Sequence, residues 1–130
     1  MKIGFTGTQQ GMSAYQKKVV AQILEMKKPS FGVHGDCIGA DKDFHDLCVA
    51  FNIKTEIHPP DKDIKRAFCK GDVIMQPLPY LDRNHNIVDS ADVMLATPKT
   101  EHEELRSGTW ATIRYARKKN KRIIVIRPEA

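Results

Sequence analysis

Short apolar runs and helix-period stripes alternate along nearly the whole chain, and this alternation limits the fold more than any single motif. Lys2 to Thr8 sets Ile3 and Phe5 among smaller residues and ends in Thr6-Gly7-Thr8, a first strand. Gly11-Met12-Ser13 opens a helix with Ser13 as N-cap, and Lys27-Lys28-Pro29 stops it. Its apolar stripe, Tyr15, Val19, Val20, Ile23, Leu24 and Met26, reads as core. Ser30 to His34 is a second strand, after which Ala40, Phe44, Leu47, Cys48 and Phe51 mark one face of a helix that ends at Asn52. Ile53 to His58 is a third strand, closed by Pro59-Pro60. Tyr80 to Ala91 is a short helix with Leu81, Ile87, Val88 and Ala91 inward, and Asp92 to Thr97 is a fourth strand. The last helix opens at Arg106-Ser107-Gly108-Thr109, and Ile123-Ile124-Val125-Ile126 closes the chain as a continuous apolar run, the mark of a parallel strand buried on both faces.

Helical crossovers between parallel strands give a three-layer α/β sandwich, Rossmann-like, with a five-stranded parallel sheet and helices on both faces. A length of 130 residues suits one such domain. The stretch 61–79, polar and carrying Gly71, Pro77 and Pro79, is expected to be a long loop with one helical turn around Ile64–Cys69, of the kind that serves as a lid. No apolar run approaches the roughly 20 residues that cross a bilayer, so no membrane partner is expected. The first residues read straight into a strand, and the three cysteines at 37, 48 and 69 form no CxxC pair. A cytoplasmic compartment with reduced thiols is the expectation.

In sheets of this kind ligands sit beyond the carboxyl ends of the strands, where strand order reverses. Thr6-Gly7-Thr8, Gly35–Asp41, His58 and Thr97 all fall at such ends. The segment Gly35-Asp36-Cys37-Ile38-Gly39-Ala40-Asp41 leads from strand to helix through glycines, which permit close backbone approach, into the unpaired amides of a first helical turn. It reads as a phosphate cradle, or as a tight turn with no ligand. A second helix opening, at Gly108-Thr109, adds the hydroxyls of Ser107 and Thr109, and two such openings suit a phosphate, or a phosphate and a ribose. Asp41 either caps its helix or binds sugar hydroxyls, and Asp36 either shapes the turn or does the same. Arg83, followed by Asn84, is either a bidentate phosphate fork or a surface cation paired with Asp82 or Asp89. Glu101, Glu103 and Glu104 precede Gly108; one of them assists a glycosidic cleavage, or all are solvated acids ahead of a helix.

Several classes are excluded or disfavoured. GxGxxG and GxxxxGK[ST] are both absent, which argues against an ordinary NAD or Walker site, and no cofactor is expected. His45-x-x-Cys48 is the one close His/Cys pair on a helix, and no second pair has structural-zinc spacing, so no metal is expected. The net charge of +5 favours an anionic partner, but Arg106, Arg114, Arg117, Lys118, Lys119, Lys121 and Arg122 concentrate it near the end of the chain. A solvated helix C-terminus explains that run, and the absence of interleaved aromatics counts against single-strand stacking.

An ordered set of motifs resembles a known superfamily: Gly35-x-x-x-Gly39-Ala40-Asp41, then Arg83-Asn84-x-x-Ile87-Val88-x-x-Ala91-Asp92, then Ser107-Gly108-Thr109 before a helix and a last strand. It looks like the SMF/DprA–LOG (SLOG) superfamily of Rossmann-like nucleotide-binding proteins over residues 3–127. The resemblance implies a nucleotide-like ligand at the Gly-bearing turns and a homodimer or higher homo-oligomer. It also brings two alternatives: a LOG-like phosphoribohydrolase cleaving the N-glycosidic bond of a nucleoside monophosphate, and a single-stranded DNA binder related to DNA-processing protein A. LOG enzymes carry PGGxGTxxE, with its Glu catalytic and an upstream Arg as partner. Arg83 matches that Arg, Arg106-Ser107 replaces the Gly pair, and Thr112 occupies the Glu position. A hydrolase would then draw on Arg83 with Glu104 or Glu103.

Overall fold

The computed structural model describes residues 1–129. The chain runs β1 (Lys2–Gly7), α1 (Ala14–Lys27), β2 (Phe31–His34), α2 (Ala40–Ala50), β3 (Lys54–Ile57), β4 (Val73–Ile74), α3 (Tyr80–Ser90), β5 (Val93–Thr97), α4 (Gly108–Lys118) and β6 (Ile123–Val125). The strands form one sheet in the order β4-β3-β2-β1-β5-β6, every pair parallel. The chain builds outward from β1 to β4, then returns to lay β5 against the other side of β1. Strand order therefore reverses between β1 and β5, where Phe5 pairs with Leu95 and Gly7 with Thr97.

Helices cover both faces. On one, α1 and α2 bury Val20, Leu24, Phe44 and Cys48 against Ile3 and Phe5 of β1 and Leu95 of β5, with the Phe5 and Phe44 rings stacked 4.5 Å apart. On the other, Ile87 and Val88 of α3 and Ala116 of α4 pack on Val33 and Met94, while Trp110 and Ile113 cover Ala96. Burying an apolar side chain of this size contributes about 1.5–3 kcal/mol, so these two layers carry most of the fold's stability.

Local chemistry fixes where α1 begins. Ser13 Oγ accepts from the Gln16 amide at 3.1 Å while Gln16 Oε1 accepts from the Ser13 amide at 2.9 Å, a complete capping box. Gln16 is itself buried, and its Nε2 donates to the carbonyls of Pro98 and Ile126, each at 2.8 Å. One side-chain amide thus ties the start of α1 to the ends of β5 and β6.

Four expectations are corrected. The sheet has six strands among the described residues, because Val73–Ile74 adds a two-residue edge strand within the stretch 61–79. That stretch holds a hydrogen-bonded turn at Asp63–Arg66 rather than a turn of helix. β6 is half-buried along its length, since it forms the other edge of the sheet and is not enclosed on both faces. Tyr15 and Met26 are exposed because they lie more than about 90° around α1 from its buried line of Gln16, Val20 and Leu24, and Leu81 is exposed in the first turn of α3.

A buried polar cluster braces the sheet from below the rim. The Glu56 carboxylate accepts from Lys2 Nζ at 2.7 Å, His58 Nε2 at 2.7 Å and Ser90 Oγ at 2.8 Å, joining β3 to β1 and α3. Burial pushes the carboxyl up, but the hydrogen bonds from Lys2, His58 and Ser90 outweigh burial and hold it at about 2. A carboxyl lowered in the folded state adds stability that is complete above pH 4.5 and lost as pH falls through about 2. Glu56→Gln should therefore cost about 2–3 kcal/mol at pH 7, and urea unfolding at stepped pH should show the gap from the parent closing between pH 5 and pH 2.

Candidate functional site

A cavity of about 760 Å³ opens at the carboxyl ends of β1 and β5, where the strand order reverses. Thr6, Gly7 and Thr8 leave β1 along one wall, Arg83 and Asn84 of α3 another, and Ser107, Gly108 and Thr109 at the start of α4 a third. Asp41 and Glu104 complete the set of sequence-predicted residues gathered here. Gly35, Asp36, Gly39, Ala40, Thr97 and Glu103 are not among the lining residues.

Each of these six has a different task. Gly35 is buried under Arg83, and a Cβ there would collide with the guanidinium. Gly39 has φ +87 and lies against the Gln9 backbone, so it is the conformational pivot into α2. Ala40 is buried and gives its amide to the Thr8 carbonyl at 2.9 Å. Thr97 is fully buried beneath Gly7, and its Oγ1 has no partner among the described residues. Glu103 pairs with Arg114 at 2.7 Å, on the outer side of α4. Asp36, at φ 59, organises the long loop: its carboxylate accepts from Arg66 Nε and from the Cys69 amide, both at 2.9 Å, and its carbonyl accepts from the Ala67 amide at 2.7 Å.

The two helix openings differ. In the turn before α2 the amides are engaged: Asp36 N on His34 Nδ1 at 2.9 Å, Cys37 N on Asp41 Oδ2 at 3.1 Å, and Ile38 N on the Lys65 carbonyl at 3.0 Å. The carboxylate of Asp41 thus reaches back into the turn before its helix, whose N-cap is Gly39. At α4, Ser107 Oγ accepts from the Trp110 amide at 3.2 Å and its carbonyl accepts from the Ala111 amide at 2.9 Å. The amides of Gly108 and Thr109 belong to the part of a first turn that helix geometry leaves unpaired, and both residues line the cavity.

Beneath the cavity lies Arg83, only 4% exposed. Its Nη1 donates to the carbonyl of Gly35 and, at 3.2 Å, to that of His58, gripping the ends of β2 and β3. Nη2 lies 3.3 Å from Cys37 Sγ, and the guanidinium sits over the Tyr80 ring at 5.2 Å. Among the described residues no carboxylate comes within 4.0 Å of it, and its Nε has no partner. The surface alternative, pairing with Asp82 or Asp89, is not realised.

Loop residues add charge that no motif revealed. Lys62 and Lys65 from the β3–β4 loop, with Lys99 and Arg106 from the β5–α4 loop, are exposed around the opening. With Arg83 they make five cationic side chains against two acids, Asp41 and Glu104. Phe5, Cys37, Ile64, Tyr80 and Ile87 supply apolar surface. The basic last turn of α4, with Arg117 and Lys118, lies at the opposite end of that helix from the cavity.

Close by, His34, His45 and Cys69 hold ligand-type atoms within 4.8 Å of one another, a grouping that sequence spacing does not show because strand, helix and loop each contribute one. Their hydrogen bonds account for the grouping. His34 is kept neutral, its pKa lowered to about 3 by burial first and then by His45, Arg83 and His58. Its Nδ1 accepts from the Asp36 amide, so Nε2 carries the proton and donates to His45 Nδ1 at 3.0 Å. A metal at His34 Nε2 would need the other tautomer, which sets two N–H groups against each other.

No protein-family model and no curated protein matches the chain. Solved structures do. The molybdenum cofactor binding protein from Rippkaea orientalis matches with TM-score 0.75 and 18% identity over 97% of this chain and 76% of that one. DNA processing protein A from Streptococcus pneumoniae matches with TM-score 0.69 and 19% identity over 95% of this chain, which spans 49% of the longer protein. The molybdenum cofactor carrier protein from Chlamydomonas reinhardtii matches with TM-score 0.65 and 18% identity over 95% of this chain and 74% of that one. At such identities the likeness shows the fold alone, a Rossmann-like α/β domain with a parallel sheet flanked by helices.

Burial raises the Asp41 carboxyl to about 6, with Arg83 and the amides of Cys37 and Gly35 offsetting only part of that cost. A carboxyl raised in the folded state keeps its proton where the unfolded chain has lost it, so stability falls as pH rises from 3.8 to about 6 and stays lower above that. Asp41→Asn, which retains an acceptor for the Cys37 amide, should gain about 2–3 kcal/mol over the parent at pH 7 and nothing at pH 3.5, read by urea unfolding.

Proposed function

We propose that the chain binds a nucleotide or nucleotide-derived ligand in the rim cavity, to sense, sequester or process it. The observation that carries this reading is Arg83: a guanidinium buried with no carboxylate partner, its Nε unpaired, in the wall of a cavity. A buried charge without a counter-charge is costly, and a bound anion removes that cost. The ligand's phosphate sits against the side of Arg83 that lines the cavity, the amides of Gly108 and Thr109, and the Ser107 hydroxyl. Asp41 accepts from ribose hydroxyls. Lys62, Lys65, Lys99 and Arg106 draw further negative charge to the opening.

The solved structures of like fold lend support. Two are named for binding or carrying molybdenum cofactor and one for DNA processing. The distance along α4 between the cavity and the basic turn favours a small molecule over a strand of DNA. A thermal-shift screen of nucleoside mono- and diphosphates and ADP-ribose derivatives tests the reading. A true ligand at 100 times its Kd adds about 2.7 kcal/mol of stability, and Arg83→Met should remove that gain. No stabilisation by any member of the screen overturns it.

A second reading, N-glycosidic hydrolysis of a nucleoside monophosphate, is favoured by the presence of Glu104 in the same cavity as Arg83. Thr112, at the position of the LOG glutamate, is buried and donates to the Gly108 carbonyl at 3.0 Å, so it supplies no acid. Glu104 then polarises the attacking water or steadies the developing cation at C1'. Release of free base from nucleoside monophosphates should fall about 100-fold in Glu104→Gln and persist in Glu103→Gln. No release from the parent protein leaves the binding role alone.

A further inference from the structure

A second, smaller cavity of about 200 Å³ lies between α3 and α4 and shares Tyr80, Asn84 and Gly108 with the main one. The two differ sharply in chemistry. Five cationic side chains surround the main cavity, whereas the groove's walls carry no Lys, Arg, Asp or Glu among the described residues. Its walls are Tyr80, Leu81, Asn84, His85, Ala111 and Thr112, and the surface they present is almost wholly apolar. Both rings are held in place, Tyr80 by Arg83 at 5.2 Å and His85 by stacking on Tyr115 at 3.8 Å. The Asn84 side chain is half-buried and makes no hydrogen bond among the described residues, so its amide group is unpaired.

Gly108 stands at the junction. Its φ is not positive, and a Cβ there would meet nothing within 4 Å, so neither backbone nor packing requires a glycine. What its missing side chain preserves is open space between the two cavities. We propose that the groove between α3 and α4 takes a flat, uncharged heterocycle, the nucleobase-like end of the ligand whose anionic end occupies the main cavity. The heterocycle lies along the Tyr80 and His85 rings, passes over Gly108 and presents its hydrogen-bonding edge to Asn84. This assignment rests on the nucleotide reading and adds where the base goes.

Calorimetry with ADP and with inorganic pyrophosphate, on the parent and two variants, tests it. The parent should bind ADP at least tenfold more tightly than pyrophosphate. Ala111→Leu fills the groove without touching the main cavity, and His85→Ala removes a ring platform at a half-buried helix position. Each should weaken ADP, about tenfold for Ala111→Leu and three- to tenfold for His85→Ala, while pyrophosphate changes less than twofold. If the parent binds both probes equally, or ADP is unchanged in both variants, the groove assignment is overturned while the anion site stands. If the parent binds neither probe, the nucleotide reading itself fails and takes the groove with it.

Discussion

The Arg83 guanidinium is the constraint around which the functional end of this molecule is arranged. It grips the carbonyls that close β2 and β3 and so sets the spacing of two strand ends. Its position demands a glycine at 35, and its own helix is pinned against the sheet by Ile87 and Val88. Carbonyl dipoles partly solvate the cation but do not neutralise it. The neighbouring Asp41 is too poorly solvated to remain fully ionised near neutral pH, so it is an incomplete counter-charge. The ligand-free fold therefore holds a positive charge in a place where an anion is worth more than it would be in water.

The neighbourhood divides sharply between groups that are finished and groups that are waiting. In the turn before α2 the amides of residues 36–38, the Asp36 carboxylate and the His34–His45 pair all have partners, and these contacts pin the loop that carries Lys62 and Lys65. Around α4 the Gly108 and Thr109 amides lie in the part of a first turn that helix geometry leaves unpaired, and Arg83 Nε has no partner among the described residues. Polar groups near the protein interior are normally satisfied, so the unpaired groups along this wall support the proposed binding of an anion there.

Much of this was legible in the chain itself, for identifiable reasons. Period-2 and period-3.6 runs located β1, β2, β3, β5 and all four helices, because each of those elements buries a face against another layer. The two-residue β4 has no length over which a period can be read, and its residues are exposed. The continuous apolar run of β6 looked enclosed, but sequence does not say which strand is last in a sheet. In the site, Arg83, Asn84, Asp41 and Ser107–Thr109 stood out from type and spacing. Asp36 was marked as turn former or sugar ligand, and its service to Arg66 and Cys69 depends on contacts some 30 residues away. Lys62, Lys65 and Lys99 carry no local signature at all, since it is the fold of two loops that turns them toward one opening.

The place of β1 has a consequence for how the molecule comes into being. It is paired on one side with β2, the next strand made, and on the other with β5, whose first residue, Val93, meets Ile3. During synthesis the outer half of the sheet, β1 through β4, emerges long before anything is available to cover the second side of its central strand. Until α3, β5 and α4 leave the ribosome, Val33 lacks the Ile87 and Val88 layer that shields it in the finished protein. Most of the polypeptide must be translated before the sheet can close, which makes that interval the one in which a chaperone has something to hold.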